Sequence, residues 1–535
     1  VTIPPPPLKP WEGGFELHET FNMVSLLLER HLGPERGRSV AIITPREKIT
    51  YGRLGRLTNR VGNLLLELGL GPGERIILLL HDSPWFVAAF LGAMKIGAVP
   101  VPCNVMATPR DWAYFINDSR AKAVIVEDEL QPKLAQVLPQ CPLLSRILIK
   151  DSTRPEGLDL QERAARASDR LDPAPTRAQD HSYWLYTSGT TGQPKGVIHL
   201  HRDLVYAVET WGRHVVDFQP HDRVYCVSRL FFSYGLNNGL YLPLYFGGQV
   251  ILSPERPLPE TVVRIVETNS PTLLFSVPTS YGQILNHLED SPTNPDFSSL
   301  RACVSAGEAL PASLSRRWKD RFGLEILDGL GSSEVGFIYI CNLPGKAKPN
   351  SSGVLLPGYE ARLLDDDGRE LPRGEVGHLW VRSPTLAAGY WNKPEQTKAA
   401  FVGGWMRTGD RCCQDEDGFF FYFGRSDDAL KVSGIWVSPL EVEAVLLEHP
   451  DVAEAAVVGH RDRMGLVKPK AFVTLMPGRE PGEKLTAELQ NLVKTRLAPY
   501  KYPRWIEYLA ELPKTATGKI QRYKLRQDSN PSGAR

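Results

Sequence analysis

Residues 186–196 read Tyr-Thr-Ser-Gly-Thr-Thr-Gly-Gln-Pro-Lys-Gly, directly after the apolar Tyr183, Trp184 and Leu185. This is the pattern of a strand emptying into a glycine-rich loop. Gly189, Gly192 and Gly196 let the backbone turn tightly and present its N–H groups. The hydroxyls of Thr187, Ser188, Thr190 and Thr191 add donors, and Lys195 adds a positive charge. Such a loop suits a polyphosphate, because hydrogen bonds to charged oxygens are stronger than neutral ones. The spacing is not that of the ordinary P-loop, where lysine follows glycine; here Lys195 follows Pro194. A flexible linker is the competing reading, but linkers rarely close on a single Pro-Lys-Gly.

Around this loop, short β-branched runs at 75–80, 121–126, 223–227, 249–252, 272–277, 301–305 and 325–327 alternate with helical patterns. The helices are expected at 84–96, 203–215, 258–268, 278–288 and 311–322, several of them opening on proline. That alternation predicts parallel sheets covered by helices. The longest apolar run, 86–101, is broken by Gly92, Lys95 and Gly97. It falls short of the ~20 residues of a membrane span and predicts a buried helix followed by a strand. After residue 350 the texture changes: 353–364 and 375–383 read as antiparallel strands joined through the Asp-Asp-Asp-Gly turn at 365–368. A final block mixes strands at 453–458 and 470–475 with helices at 439–447 and 486–497, after a polar, hinge-like segment at 424–428.

The 535 residues allow about two to four domains. A net charge of +1 argues against nucleic-acid binding, which usually brings a basic excess. Seven scattered cysteines without a Cys-x-x-Cys pair point to neither a zinc site nor a disulfide framework. With no signal-like pattern at Val1–Pro10, a cytoplasmic protein is expected, a monomer or homodimer with no membrane partner.

Four more segments stand out. Residues 328–334, Asp-Gly-Leu-Gly-Ser-Ser-Glu, combine turn glycines with one acid, and Arg-Thr-Gly-Asp at 407–410 sets an acid after a tight turn. Gly424-Arg425 runs on into Leu-Lys-Val-Ser-Gly at 430–434, and Pro-Lys-Thr-Ala-Thr-Gly-Lys-Ile at 513–520 puts a lysine beyond a glycine near the end. Each alone could be a surface turn. Together with the first loop, in this order, they resemble the acyl- and aryl-adenylate-forming superfamily: acyl-CoA synthetases, firefly-type luciferases and adenylation domains of peptide synthetases. The resemblance runs from about residue 15 to 526.

It implies an α/β fold: a large N-terminal domain, 1–426, of two α/β subdomains plus a β-barrel, and a small mobile α+β C-terminal domain, 427–535. It also implies roles, residue by residue. Thr187, Ser188, Gly189, Thr190, Thr191, Gly192 and Lys195 would hold the β- and γ-phosphates of ATP. Gly307, Glu308 and Ala309, with Asp328, Gly329 and Leu330, would flank the adenine. Ser333 would touch the α-phosphate, and Glu334 would help hold Mg²⁺, a hard cation that prefers oxygen ligands. Asp410 would take the ribose hydroxyls, with Arg425 nearby. Lys519 would be the catalytic lysine, bridging the substrate carboxylate and the α-phosphate. Asp427 would be the hinge about which the small domain turns between half-reactions. Lys431, Ser433 and Gly434 would then face the pantetheine of coenzyme A.

The segment Arg-Leu-Phe-Phe-Ser-Tyr-Gly-Leu at 229–236 matches the family position that lines the acyl pocket. Phe232 stands where amino-acid-activating relatives carry aspartate, and no carrier domain is expected beyond Lys519. The segment looks most like that of benzoate-CoA ligases, whose tyrosine packs on a flat ring as aromatic groups favour. Phe232, Ser233, Tyr234, Gly235, Gly331, Phe337 and Ile338 would line an aryl pocket. Two residues depart from that pattern: benzoate ligases tend to have alanine at the place of Ser233 and histidine at that of Phe337. A serine hydroxyl in an apolar pocket wants a partner, which suggests a benzoate with an amino or hydroxyl substituent. Trp436, where short-chain acyl-CoA synthetases carry a phosphate-binding arginine, favours an aryl or medium-chain relative over an acetate enzyme. The alternatives are a medium-chain or cyclic acyl-CoA ligase, in which bulky Tyr234 and Phe337 fit poorly, and a non-catalytic nucleotide-binding relative.

In the implied reaction two anions must meet, and a lysine there stabilises charge spreading over phosphorus. Losing one such donor commonly costs about 10²–10³ in rate. Lys519→Ala is therefore expected to abolish acyl-adenylate formation without unfolding the protein, and near-normal pyrophosphate release would refute the role. Asp427→Pro is expected to spare adenylation and cripple thioester transfer; equal loss of both half-reactions in separate assays would count against a hinge.

Overall fold

The computed structural model describes residues 17–152, 159–187, 193–289, 295–426, 428, 430–432, 435–463, 466–514 and 520–529, the side chains at 431, 435–436 and 527–529 excepted. A four-stranded parallel sheet, in the order Val99–Pro102, Arg75–Leu79, Ala123–Glu127, Arg146–Lys150, opens the N-terminal part. Ile76 to Leu79 and Val124 to Val126 are all buried, the unbroken apolar pattern of strands covered on both faces. The run at 86–101 forms a helix, Pro84–Lys95, and the strand Val99–Pro102, as its composition predicts. Ser83 caps that helix by accepting the Phe86 N–H (3.2 Å), and Pro84 sits at its first turn, where its missing N–H costs nothing. Lys95 is buried at its end, with Nζ 2.6 Å from both Glu29 Oε1 and Asn59 Oδ1.

A second parallel sheet runs Val40–Ile43, Gln249–Ile251, Arg223–Cys226, Leu273–Ser276, Ala302–Ala306, Ile326–Gly331. The observed strands and helices agree with the expected ones to within a few residues. At Ile326–Gly331 the pairing turns antiparallel. The sheet continues through Ile338–Cys341, Gly353–Leu355, Phe419–Arg425, Trp405–Gln414, Gly377–Arg382 and Glu360–Leu364. The strands of the expected barrel are thus an extension of the second sheet.

One segment differs from its sequence pattern. The single strand expected at 353–364 is two strands, parted at Pro357 and Gly358. Proline lacks the N–H a ladder needs, and Gly358 takes a positive φ of 82°. Gly353–Leu355 stays with Ile338–Cys341, while Glu360–Leu364 crosses to Gly377–Arg382. The turn at 365–368 forms as expected: Asp365 Oδ1 accepts the N–H groups of Asp367 (2.9 Å) and Arg369 (2.8 Å).

From Leu430 onward a separate apolar core gathers Val432, Val442, Leu446, Val457, Ala471, Val473 and Leu489. It lies between the helices Pro439–Leu446 and Glu483–Arg496 and the sheet of Val452–Arg461, Val467–Leu475 and Trp505–Tyr508. This is the small C-terminal domain beside the large N-terminal one. All seven cysteines are free. Among the described residues no helix is long and apolar enough to cross a membrane.

Candidate active site

The glycine-rich loop does not lead from a strand to a helix. It is the tip of a β-hairpin, His181–Thr187 with Lys195–Leu200, closed by the opposed pair Thr187 and Lys195. Ser188, Gly189, Thr190, Thr191 and Gly192 lie outside the described residues. The base of the hairpin is fastened from the first sheet's side: the Tyr186 hydroxyl donates to Asp118 Oδ2 (2.8 Å) and the Tyr114 hydroxyl to the Pro194 carbonyl (2.8 Å). Gly389–Tyr390 pairs with the other edge of the hairpin.

That short strand brings in a residue the sequence motifs do not single out. Lys195 Nζ sits 4.4 Å from the centre of the Tyr390 ring, and the Tyr390 hydroxyl donates to Glu334 Oε1 at 2.8 Å. One ring therefore stands between the lysine expected on phosphate and the carboxylate expected on Mg²⁺. Burial, helped by Glu334, pushes the Tyr390 hydroxyl up, so it stays a neutral donor.

Glu334 belongs to a turn, 332–336, closed by the Gly336 N–H on the Ser332 carbonyl (3.1 Å), whose carbonyls from Ser333 to Gly336 are claimed from outside it. His199 Nε2 lies 2.7 Å from the Ser333 carbonyl, the Ala387 N–H donates to that of Glu334 (2.8 Å), Thr385 Oγ1 to that of Val335 (2.7 Å), and Asn237 Nδ2 to that of Gly336. A carbonyl can only accept, so His199 must carry its proton on Nε2. Behind it, Asp203 Oδ2 lies 3.4 Å from Nδ1 and accepts the Leu200 N–H at 2.8 Å. Burial pushes the Asp203 carboxyl above the ordinary range, against the pull of His199.

The expected nucleotide residues come from neighbouring strand ends. Ala306 is paired with Gly329 and Ser305 with Asp328, which sets Gly307, Glu308 and Ala309 beside Asp328, Gly329 and Leu330. Glu308 accepts the Thr279 hydroxyl (2.9 Å), and burial raises the Asp328 carboxyl well above the ordinary range. Asp410 and Arg425 face each other across two antiparallel strands. Arg425 Nη1 donates to Asp410 Oδ1 (3.1 Å) and to the Thr408 carbonyl (2.8 Å), and the Tyr422 hydroxyl reaches Asp410 Oδ1 at 3.4 Å. Burial raises the Asp410 carboxyl; Arg425 is the main force holding it ionised. Glu334 is near enough to act on the charge of both.

On the acyl side, Phe232, Ser233 and Tyr234 are half-buried at the start of a helix, Ser233–Leu236. Tyr234 donates its hydroxyl to the Val304 carbonyl (3.2 Å) and sets its ring edge-on to Phe275, centroids 6.4 Å apart. A Cβ on Gly235 would stand 2.0 Å from the Arg229 carbonyl oxygen, so only glycine fits. Gly331 is exposed opposite Ile338, whereas Phe337 and Ile338 are buried, Phe337 against Trp211 at 5.9 Å.

Asp427, Ser433, Gly434 and Lys519, and the side chains of Lys431 and Trp436, lie outside the described residues. The ends of the 515–519 segment are nonetheless joined: Lys514 bridges Ile520 in antiparallel fashion, and the Gln521 N–H donates to the Pro513 carbonyl at 2.7 Å. Just beyond, Arg522 grips the buried Glu443 with Nη2 2.7 Å and 2.9 Å from its two oxygens, and Glu443 also accepts the Val457 N–H (2.6 Å). Neither residue carries a sequence signal, since each is one charge among many.

The AMP-binding enzyme family's profile matches residues 28–391, and that of the AMP-binding enzyme C-terminal domain matches 441–519. The chain belongs to the AMP-binding enzyme family. It is 44% identical over 513 residues to the benzoate–CoA ligase of Thauera aromatica, covering 96% of this chain and 97% of that protein. It is 41% identical to the 4-hydroxybenzoate–CoA/benzoate–CoA ligase of Rhodopseudomonas palustris, covering 95% and 94%. The crystal structure of the anthranilate CoA ligase AuaEII in complex with anthranoyl-AMP superposes with a TM-score of 0.91 at 39% identity, covering 96% of this chain and 98% of that one.

Gly409 generates a test of the Asp410–Arg425 pair. Its φ is 79°, and an added Cβ would lie 2.6 Å from Arg425 Nη2. Gly409→Ala is expected to push the guanidinium off Asp410 and raise the KM for ATP about tenfold, roughly the effect of one lost charged contact. The KM for the acid should change little; an unaltered KM for ATP would separate the pair from nucleotide binding.

Proposed function

We propose that the chain is an AMP-forming aryl-CoA ligase acting on benzoate or on a benzoate with a small polar substituent. The acid's carboxylate oxygen attacks the α-phosphorus of ATP, the bond to pyrophosphate breaks, and an aryl-AMP anhydride results. The sulfur of coenzyme A, losing its proton, then attacks the acyl carbon and expels AMP. The observation that carries the reading is the 332–336 turn, tied by His199 to the phosphate hairpin and by Asn237 to the aryl helix. One rigid element thus spans the two substrates whose atoms must meet, and such positioning removes much of the entropic part of a barrier.

The hairpin and Lys195 would hold the β- and γ-phosphates, Ser333 would face the α-phosphate, and Asp410 would accept the ribose hydroxyls with Arg425 beside it. Tyr390 would hold the Glu334 carboxylate in place. Among the described residues no cluster of three metal-ligating side chains occurs. Mg²⁺ usually takes one or two carboxylates and completes its shell with phosphates and water. Glu334 is the residue to hold it, and the ion would offset the charge of the leaving pyrophosphate. Lys519, on a segment whose two ends are pinned together, would enter for adenylation. The division at 426/427, with Asp427 as hinge, would let it withdraw for thioester formation. Lys431, Ser433 and Gly434 would line the path of the thiol.

Tyr234 favours a flat ring over an alkyl chain. Its hydroxyl is spent on Val304 and its ring braced on Phe275, so it is a fixed wall where a long chain would need a tunnel. Coenzyme A-dependent AMP formation should rank benzoate and its amino and hydroxy derivatives above cyclohexanecarboxylate and octanoate. Ser233→Ala should shift the preference among the three benzoates. An unchanged ranking in that variant would dismiss a substituent contact at Ser233.

A further inference from the structure

Ser233 and Asn237 are four residues apart, and so lie on one face of their helix. It is an α-turn, Ser233–Leu236, followed by a π-helical stretch, Asn237–Tyr241, a widening that is rare and frequent at functional sites. Asn237 is 2% exposed. Its Nδ2 donates both to the Gly336 carbonyl and, at 3.2 Å, to Ser233 Oγ. The orientation of the amide is decided by chemistry: the Gly336 carbonyl only accepts, so the NH₂ side must face it. The other side, Oδ1, is buried and has no partner among the described residues, a state that costs stability.

This arrangement spends one of the two lone pairs of Ser233 Oγ and leaves its hydrogen to be given elsewhere. Its oxygen accepts from Asn237, and among the described residues no acceptor takes its hydrogen. Asn237 Oδ1 is buried whereas Ser233 is half-buried at the aryl segment, so the unspent donor that the pair can offer a ring substituent is the Ser233 O–H. We infer that Asn237 is a positioning residue for substituent recognition: it orients the Ser233 hydroxyl as a donor, so the ring substituent selected is a hydrogen-bond acceptor. A ring hydroxyl, whose oxygen keeps an available lone pair, is preferred to a ring amine, whose lone pair is delocalised into the ring. The same amide holds Gly336 in the turn that carries Ser333 and Glu334, so a substituent contact bears directly on the reacting end.

The inference rests on the aryl-CoA ligase reading above and extends it to a residue that touches no substrate. The test is kcat/KM for the three hydroxybenzoates and for 2-aminobenzoate, each divided by that for benzoate in the same variant. That ratio cancels any loss of folded enzyme or any general slowing. Asn237→Ala should lower the best hydroxybenzoate ratio about three- to tenfold, the range of one hydrogen bond, and to the same degree as Ser233→Ala. The double variant should lose no more than either single one. Asn237→Asp, of equal size, serves where the alanine variant does not accumulate. The oxygen that replaces Nδ2, kept protonated by burial and donating to the Gly336 carbonyl, would accept the Ser233 hydrogen, and the hydroxybenzoate ratio should fall while the aminobenzoate ratio rises. Equal slowing of every acid in Asn237→Ala, or unchanged ratios in Asn237→Asp, overturns the inference and leaves the Ser233 reading intact. Unchanged ratios in Ser233→Ala remove that reading and the inference together.

Discussion

Four consecutive carbonyls, from Ser333 to Gly336, each take a hydrogen from a group outside their turn, and the rest of the site is arranged by that constraint. The donors come from the second strand of the hairpin, Lys195–Leu200, from the segment 385–387 and from the aryl helix. Buried carbonyls left unpaired would cost free energy, so the turn is stable only when all these elements are docked. Satisfying its backbone therefore assembles the catalytic surroundings. His199 links this turn to the hairpin, while Asn237 links it to Ser233.

Burial of charge is the second organising term. Asp410, Asp203 and Asp328 all sit where desolvation disfavours the ionised form. Arg425 offsets this for Asp410, and His199 does so in part for Asp203. A carboxylate kept in a dry setting by one well-aimed cation binds hydroxyl groups strongly, since little water competes for it. In the small domain, the pair of Arg522 with Glu443 plays a mechanical part. It fastens the chain just after the segment that carries Lys519 to the helix Pro439–Leu446.

Much of the fold was legible in the residue pattern. Parallel strands buried on both faces read as unbroken apolar runs, and helices announced themselves through proline at the first turn and 3.6-residue spacing. What misled the eye was local: 353–364 looks like one strand, yet Pro357 and Gly358 divide it between two partners. The hairpin nature of the 186–196 loop was hidden as well, because a strand leading into a glycine-rich turn looks the same whether a helix or a second strand follows. Within the site, motif residues with unusual composition were found, and their supports were not. Tyr390, His199, Asn237, Thr385 and Glu443 are ordinary residue types at ordinary spacings.

From the order of residues alone came the five motifs, the chemistry they suit and the family to which the chain belongs. A glycine-rich loop with one lysine, an acid after a tight turn and a lysine beyond a glycine owe their meaning to neighbours along the chain. Which tyrosine stands between Lys195 and Glu334, which way the Asn237 amide faces, and that Ser233 has a hydrogen to give were decided by folding. Each of these depends on groups that lie far apart in the chain and touch only when the sheet and the aryl helix close on the 332–336 turn. A hydrogen bond's direction is a property of the pair, and no single residue's identity contains it.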